Sequence, residues 1–183
     1  MSETGVKQGR SDKLGTKITD RLLYQAGMAR IPISGTFELT PMCNFSCKMC
    51  YVRKNQKEVD SSGGLKSIAQ WLNWAEAAKE KGMLYLLITG GEPLVYPGFW
   101  ELYEKLTQMG FVISINSNGS MITEEVAARF AEMPPKKFNI TLYGASNKSY
   151  ETLCGVKDGF ERVMNAAGYL KKYKIKFKCI ILS

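Results

Sequence analysis

Apolar and polar positions alternate along this chain in two different rhythms, and the switch between them marks its elements. "TFELT" (36–40) is a short β-rich run that ends at Pro41. "MLYLLIT" (83–89) is nearly continuous in apolar residues, as expected of a strand covered on both faces. "FVISINS" (111–117), "KKFNITLY" (136–143) and "IKFKCIIL" (175–182) complete a set of five predicted strands. Helical spacing fills the gaps. The stretch 61–82 places Leu65, Ile68, Leu72 and Ala75 on one face and has Gly82 as a stop. "PGFWELYEKLTQMG" carries Pro near its start and Gly110 at its end, "TEEVAARFAEM" follows the N-cap Thr123, and 158–173 forms the last helix. A short helix over 18–28 precedes the first strand, within an N-terminal tail over 1–35. The remaining chain, 36–183, reads as one domain.

Strands separated by helices of this length imply an α/β fold with a parallel sheet and right-handed crossovers. Periodicity does not decide between an open doubly wound sheet and a barrel. The chain stops at Ser183, just past the last strand. A parallel sheet rarely leaves its last strand bare, so a fragment, or an edge covered by something else, is the expectation.

Composition narrows the chemistry. The chain has 183 residues, 45% hydrophobic and 23% charged, enough for a core without disulfides. No apolar run approaches the roughly 18 residues of a membrane span. The polar N-terminus lacks an apolar export signal. A reducing cytoplasm is therefore expected, where clustered cysteines bind metal more often than they pair. Histidine is absent, which excludes a Ser-His-Asp triad, an HExxH zinc site and Cys/His zinc fingers. The net charge of +8 draws partly on "KKYKIKFK" (171–178). There Lys174, Lys176 and Lys178 alternate with Ile175, Phe177 and Cys179, as on a strand with one buried face. A solvated helix end and strand entry is the expected reading, rather than a nucleic-acid surface.

Parallel α/β folds collect their chemistry at the C-terminal ends of strands. The first strand runs into "CNFSCKMC" (43–50), the second ends in "TGGEPL" (89–94), the third in "NSNGS" (116–120) and the fourth in "TLYGAS" (141–146). In "GGEP", two glycines let backbone approach a ligand, Pro93 stiffens the exit and Glu92 adds a negative charge suited to an ammonium group. Cys43, Cys47 and Cys50 form CxxxCxxC, a spacing that turns three thiolates inward from one loop. Three thiolates on a [4Fe–4S] cluster leave one iron open. The alternative is a zinc site completed by Cys154 or Cys179. Cys179 is expected to be a buried structural cysteine.

CxxxCxxC after strand one with GGEP after strand two resembles the radical S-adenosylmethionine (SAM) superfamily, over about residues 36–183. "CNFSCKMCY" and "ITLYGAS…YETLCGVKDGFERVM" most resemble its SPASM/Twitch branch, which includes peptide- and protein-modifying maturases. The resemblance implies a partial (βα)6 TIM-type barrel, here truncated after about five βα units. It implies a [4Fe–4S] cluster on Cys43, Cys47 and Cys50 whose open iron binds the amino and carboxylate groups of SAM. Gly90, Gly91, Glu92 and Pro93 would receive the SAM amino group. Thr141 would help hold the ribose or carboxylate, and Asn118 and Tyr51 would line the pocket. Reductive cleavage of SAM would yield methionine and a 5′-deoxyadenosyl radical that abstracts hydrogen from a substrate, by analogy with that branch a peptide or protein. An external donor such as a flavodoxin or ferredoxin would supply the electron. An RNA-modifying radical SAM protein or a noncatalytic metal-binding module are the alternatives. Three features depart from the pattern. Met49 stands where many members have an aromatic residue. Cys154 precedes Gly155 where relatives often have an arginine that contacts SAM. The sixth strand and the cysteine-rich extension are missing. No residue is singled out as a general acid or second catalytic group.

Overall fold

The computed structural model describes residues 10–181. The start of the predicted tail (1–9), and Leu182 at the end of the fifth predicted strand, lie outside the described residues. Five strands alternate with seven helices: α1 (Arg10–Met28), β1 (Ser34–Glu38), α2 (Gln56–Ser61), α3 (Ile68–Glu80), β2 (Tyr85–Thr89), α4 (Phe99–Gln108), β3 (Val112–Ser117), α5 (Glu124–Glu132), β4 (Lys137–Leu142), α6 (Asn147–Cys154), α7 (Gly159–Lys172) and β5 (Phe177–Ile181). A short 3₁₀ turn, Pro93–Val95, follows β2.

The sheet settles the choice left open by periodicity. Its strands lie in the order β1-β2-β3-β4-β5, each parallel to its neighbour in sequence. A doubly wound sheet reverses its strand order at a switch point. This one never does, so the helices that connect its strands collect on one face and the sheet curves as part of a barrel, while Thr19 and Leu23 of α1 border the inner face. Among the described residues β1 and β5 do not pair, and the barrel is not closed.

The two faces differ in chemistry. Phe37, Leu86, Ile88, Ile113, Ile115, Phe138 and Ile140 point outward and are buried against Trp71, Leu102, Leu106, Phe130, Val163 and Leu170 of the helices. Each such aliphatic or aromatic side chain contributes roughly 1.5–3 kcal/mol by leaving water. The inner face carries Thr36, Leu87, Ser114 and Lys137 in one register row and Asn116 beside Asn139 in the next. The expectation that β2 is covered on both faces is therefore corrected. Its burial alternates, and Tyr85 and Leu87 on the inner side are only half-buried.

Capping sets the helix starts. Ser67 accepts from the Gln70 N–H, Thr123 from Val126 and Ser146 from Ser149. Two helices, α2 and α6, were not predicted. Both are short, and both begin at caps of local origin: Asn55 forms a capping box with Glu58, and Ser146 opens α6. The last strand departs from its predicted character. Lys174 lies in a turn with φ 56°, and β5 begins only at Phe177. Cys179 is exposed rather than buried, as are Ile180 and Ile181. Its register partner Ile140 is covered by helices. Among the described residues no helix follows β5 to cover Cys179. No described helix is long and apolar enough to cross a membrane.

Candidate active site

The cysteine loop is fastened at three places. Backbone pairing of β1 with β2 continues past both strand ends. The Leu39 N–H donates to the Thr89 carbonyl (2.9 Å), the Gly91 N–H to Thr40 (2.7 Å) and the Glu92 N–H to Met42 (2.9 Å). Behind the loop, the C-terminal carbonyls of α6 are free of helical partners, as at any helix end. Two of them accept from the loop, Ser46 N–H to Cys154 (2.8 Å) and Lys48 N–H to Leu153 (2.9 Å). Phe45 between the first two cysteines is buried, with ring centroids 6.3 Å from Tyr143 and 6.1 Å from Tyr150.

The first strut explains the two glycines. Gly90 has φ 143°, and a Cβ there would collide with the Thr40 carbonyl. A Cβ on Gly91 would collide with the Met42 carbonyl and lie 2.8 Å from that of Pro41. The sequence suggested glycines that admit a ligand. Their missing side chains admit the backbone of the cysteine loop itself.

The loops meet in a cavity of about 260 Å³ at the C-terminal rim of the sheet. Cys43, Cys47 and Cys50 line it together with Gly90, Gly91, Thr141, Asn118 and Tyr51. Cys43 and Cys47 are half-buried and Cys50 is exposed. Among the described residues no three Cys, Asp or Glu side chains gather tightly enough to hold a single metal ion. Tyr51 is 97% exposed, so it stands at the mouth. Six lining residues were not singled out from the sequence: Phe45, Val52, Thr89, Asn116, Ser117 and Tyr143. The Tyr143 hydroxyl faces the Cys47 thiol, and burial pushes its ionisation above the ordinary tyrosine range. Its signal in the sequence was an aromatic residue immediately after a strand end.

Glu92 and Pro93 do not line the cavity. Both are buried, Glu92 completely. The Glu92 carboxylate accepts from the Ser117 hydroxyl (3.0 Å to each oxygen), the Asn118 N–H (2.8 Å) and the Leu94 N–H (3.2 Å). Burial outweighs these donors and raises its pKa from 4.5 to about 7. The charge expected to meet an ammonium group is instead turned onto the loop after β3.

Cys154, expected in a loop, ends α6 and is fully buried beside Cys47. Burial first, then the Cys47 thiol, pushes its thiol up to about 12. Cys179 lies on the exposed edge strand and is not part of this cavity. Burial also raises the Cys43 thiol, against the pull of the Phe45 N–H 3.4 Å from its sulfur.

Known proteins resemble this chain in sequence and fold. The mycofactocin maturase MftC of Mycobacterium tuberculosis is 32% identical over 124 residues, 68% of this chain and 31% of that protein. The AdoMet-dependent heme synthase of Nitratidesulfovibrio vulgaris is 27% identical over 142 residues, 78% of this chain and 38% of its own. The chain thus spans between about three and four tenths of the length of these relatives. Streptococcus suis SuiB bound to its precursor peptide SuiA has the same fold, with a TM-score of 0.67 at 19% identity, covering 99% of this chain and 40% of that one. The family model described as the radical SAM superfamily matches residues 37–182, so that the end of β1, the cysteine loop, the glycine turn and strands β2 to β5 fall within it. This chain belongs to the radical SAM superfamily, whose members use a [4Fe–4S] cluster and SAM.

Proposed function

We propose that Cys43, Cys47 and Cys50 hold a [4Fe–4S] cluster and that the protein cleaves SAM reductively to act on a peptide or protein. One observation carries the cluster assignment: three thiols of one loop open into the same cavity as the Gly90–Gly91 turn. Thiolates select soft metals, and the loop provides no nitrogen or carboxylate ligand in competition. A cluster spreads its ligands more widely than one zinc ion does, which suits thiols that do not gather on a single point. When bound, the cluster supplies an electron to SAM, giving methionine and a 5′-deoxyadenosyl radical that takes hydrogen from the substrate.

The chain's own residues position and enclose these groups. The β1–β2 backbone bonds fix the cysteine loop against Gly90 and Gly91. Those residues present backbone to the cavity, where the SAM amino group would sit. Thr141 offers a hydroxyl from the β4 end for the ribose or carboxylate, and Tyr51 guards the mouth. Glu92 and Pro93 act from behind by shaping the turn. The substrate class rests on kinship. The relatives include maturases, and SuiB is a peptide-bound structure of the same fold. A flavodoxin or ferredoxin is the proposed electron donor, and a reducing cytoplasm the compartment that suits free thiols.

A second reading draws on Cys154. Its position against Cys47 brings a fourth sulfur near the loop, as a noncatalytic four-cysteine metal site would need. Anaerobic reconstitution separates the two. A cluster gives about four irons and four sulfides per chain, a charge-transfer band in visible absorption, and loss of both in Cys43→Ala, Cys47→Ala and Cys50→Ala. Zinc without sulfide, lost equally in Cys154→Ala, supports the noncatalytic site.

A further inference from the structure

Asn118 was expected to line the SAM pocket and does line the cavity, yet it is only 5% exposed and nearly all of its hydrogen-bonding capacity is used within the protein. Its backbone N–H donates to Glu92 (2.8 Å). Its side-chain oxygen accepts from the Ser120 N–H (2.9 Å) and the Ser120 hydroxyl (2.7 Å). Its amide nitrogen donates to the Asn44 side-chain oxygen (2.8 Å) and toward the Cys43 sulfur (3.6 Å). The ring closes where the Asn44 amide donates to the Ser120 hydroxyl (2.8 Å).

This ring fixes the orientation of the amide. A backbone N–H can only donate, so the Ser120 N–H must face the oxygen of Asn118 and not its nitrogen. The NH₂ group is thereby turned toward Cys43. Each of its two hydrogens has its own acceptor, one in Asn44 and one in the sulfur. Cys43 thus has two N–H donors, from Asn118 and from the Phe45 backbone.

We infer that Asn118 is a positioning residue whose amide hydrogen-bonds the Cys43 thiolate and raises the reduction potential of the bound cluster. The inference rests on the cluster assignment above. Reduction adds negative charge to the cluster and its sulfurs. A donor aimed at a ligand sulfur stabilises that charge and moves the potential upward. Glu92 supports the effect indirectly by anchoring the Asn118 backbone, and Ser120 by orienting the amide.

The test is spectroelectrochemical. Asn118→Ala removes the donor without adding charge, and Asn118→Asp keeps an acceptor for Ser120 while removing the donor. Iron and sulfide content is measured first, in wild type, in both variants and in Cys43→Ala. The midpoint potential of the cluster is then read by EPR-monitored titration without SAM. Both variants are expected to take up iron and to titrate at more negative potential than wild type. A shift in Asn118→Asp alone assigns the effect to charge and overturns the proposal, as does an unchanged potential in Asn118→Ala. Should neither variant hold a cluster, wild-type protein labelled with ¹⁵N-asparagine decides the matter. A weak ¹⁵N coupling to the reduced cluster in pulsed EPR supports the proposal, and its absence overturns it. A wild-type chain that takes up no iron refutes the cluster assignment instead, which keeps the two failures distinct.

Discussion

The carboxylate of Glu92 lies 2.8 Å from the backbone N–H of Asn118, joining the turn after β2 to the turn after β3. Through Asn118 the same strut reaches Asn44 and Cys43 in the loop after β1. Three successive strand ends are therefore linked by one buried acid. Replacing it with Ala leaves the Asn118 and Leu94 N–H groups and the Ser117 hydroxyl without their acceptor. At about 1–3 kcal/mol for each of these three buried donors left unpaired, Glu92→Ala should lose at least about 3 kcal/mol of stability. Chemical denaturation of the two proteins at one pH measures it.

The same residue predicts a pH dependence. Its pKa is raised from 4.5 to about 7 by burial, so between those values the folded chain binds a proton that the unfolded chain has released. Its contribution to stability is fully present below about pH 4.5 and is lost as pH rises through about 7. The span corresponds to roughly 3 kcal/mol. Denaturation midpoints followed across this window should fall for wild type and stay flatter for Glu92→Gln, which cannot titrate.

Gly91 is held against the Met42 and Pro41 carbonyls, which cannot yield without opening the β1–β2 junction. Gly91→Ala should cost about 1–3 kcal/mol through overpacking and displace the cysteine loop. A lower melting temperature, together with reduced iron uptake, would show both effects. A Gly64→Ala control meets no neighbouring atom at its Cβ but sits at φ 74°, so it should lower stability through backbone strain while leaving iron uptake intact.

Phe45 anchors the loop between Cys43 and Cys47 and is 1% exposed. Phe45→Ala should cost about 3–5 kcal/mol. Cys154→Ala, in contrast, removes a buried sulfur that the cluster assignment leaves unligated, so iron and sulfide content should match wild type. Equal loss in Cys154→Ala and Cys47→Ala would favour a four-cysteine site.

Much of the scaffold was legible because it is written locally. Five strands follow from apolar runs, and the helix start at Thr123 follows from its cap, whereas the helix predicted over 61–82 begins only at Ile68, after its cap Ser67. The cysteine loop and glycine turn could be placed at strand ends because each directly follows an apolar run. What stayed hidden depends on partners distant in sequence. Nothing near Glu92 announces that its acceptors will meet Ser117 and Asn118, 25 and 26 residues on. The role of Gly90 and Gly91 is set by Thr40 and Met42 of the loop that follows β1. Cys179 alternates correctly for a buried face, but burial requires a covering element, and periodicity within one strand cannot supply it. The helices α2 and α6 were missed because six and eight residues give too little periodic signal.

The central claim is that this cavity cleaves SAM. Reconstituted under anaerobic conditions, reduced with dithionite and incubated with SAM, wild-type protein should form 5′-deoxyadenosine and methionine, detected by mass spectrometry. Cys47→Ala should form neither. A chain carrying a full complement of iron and sulfide that leaves SAM intact under these conditions would contradict it.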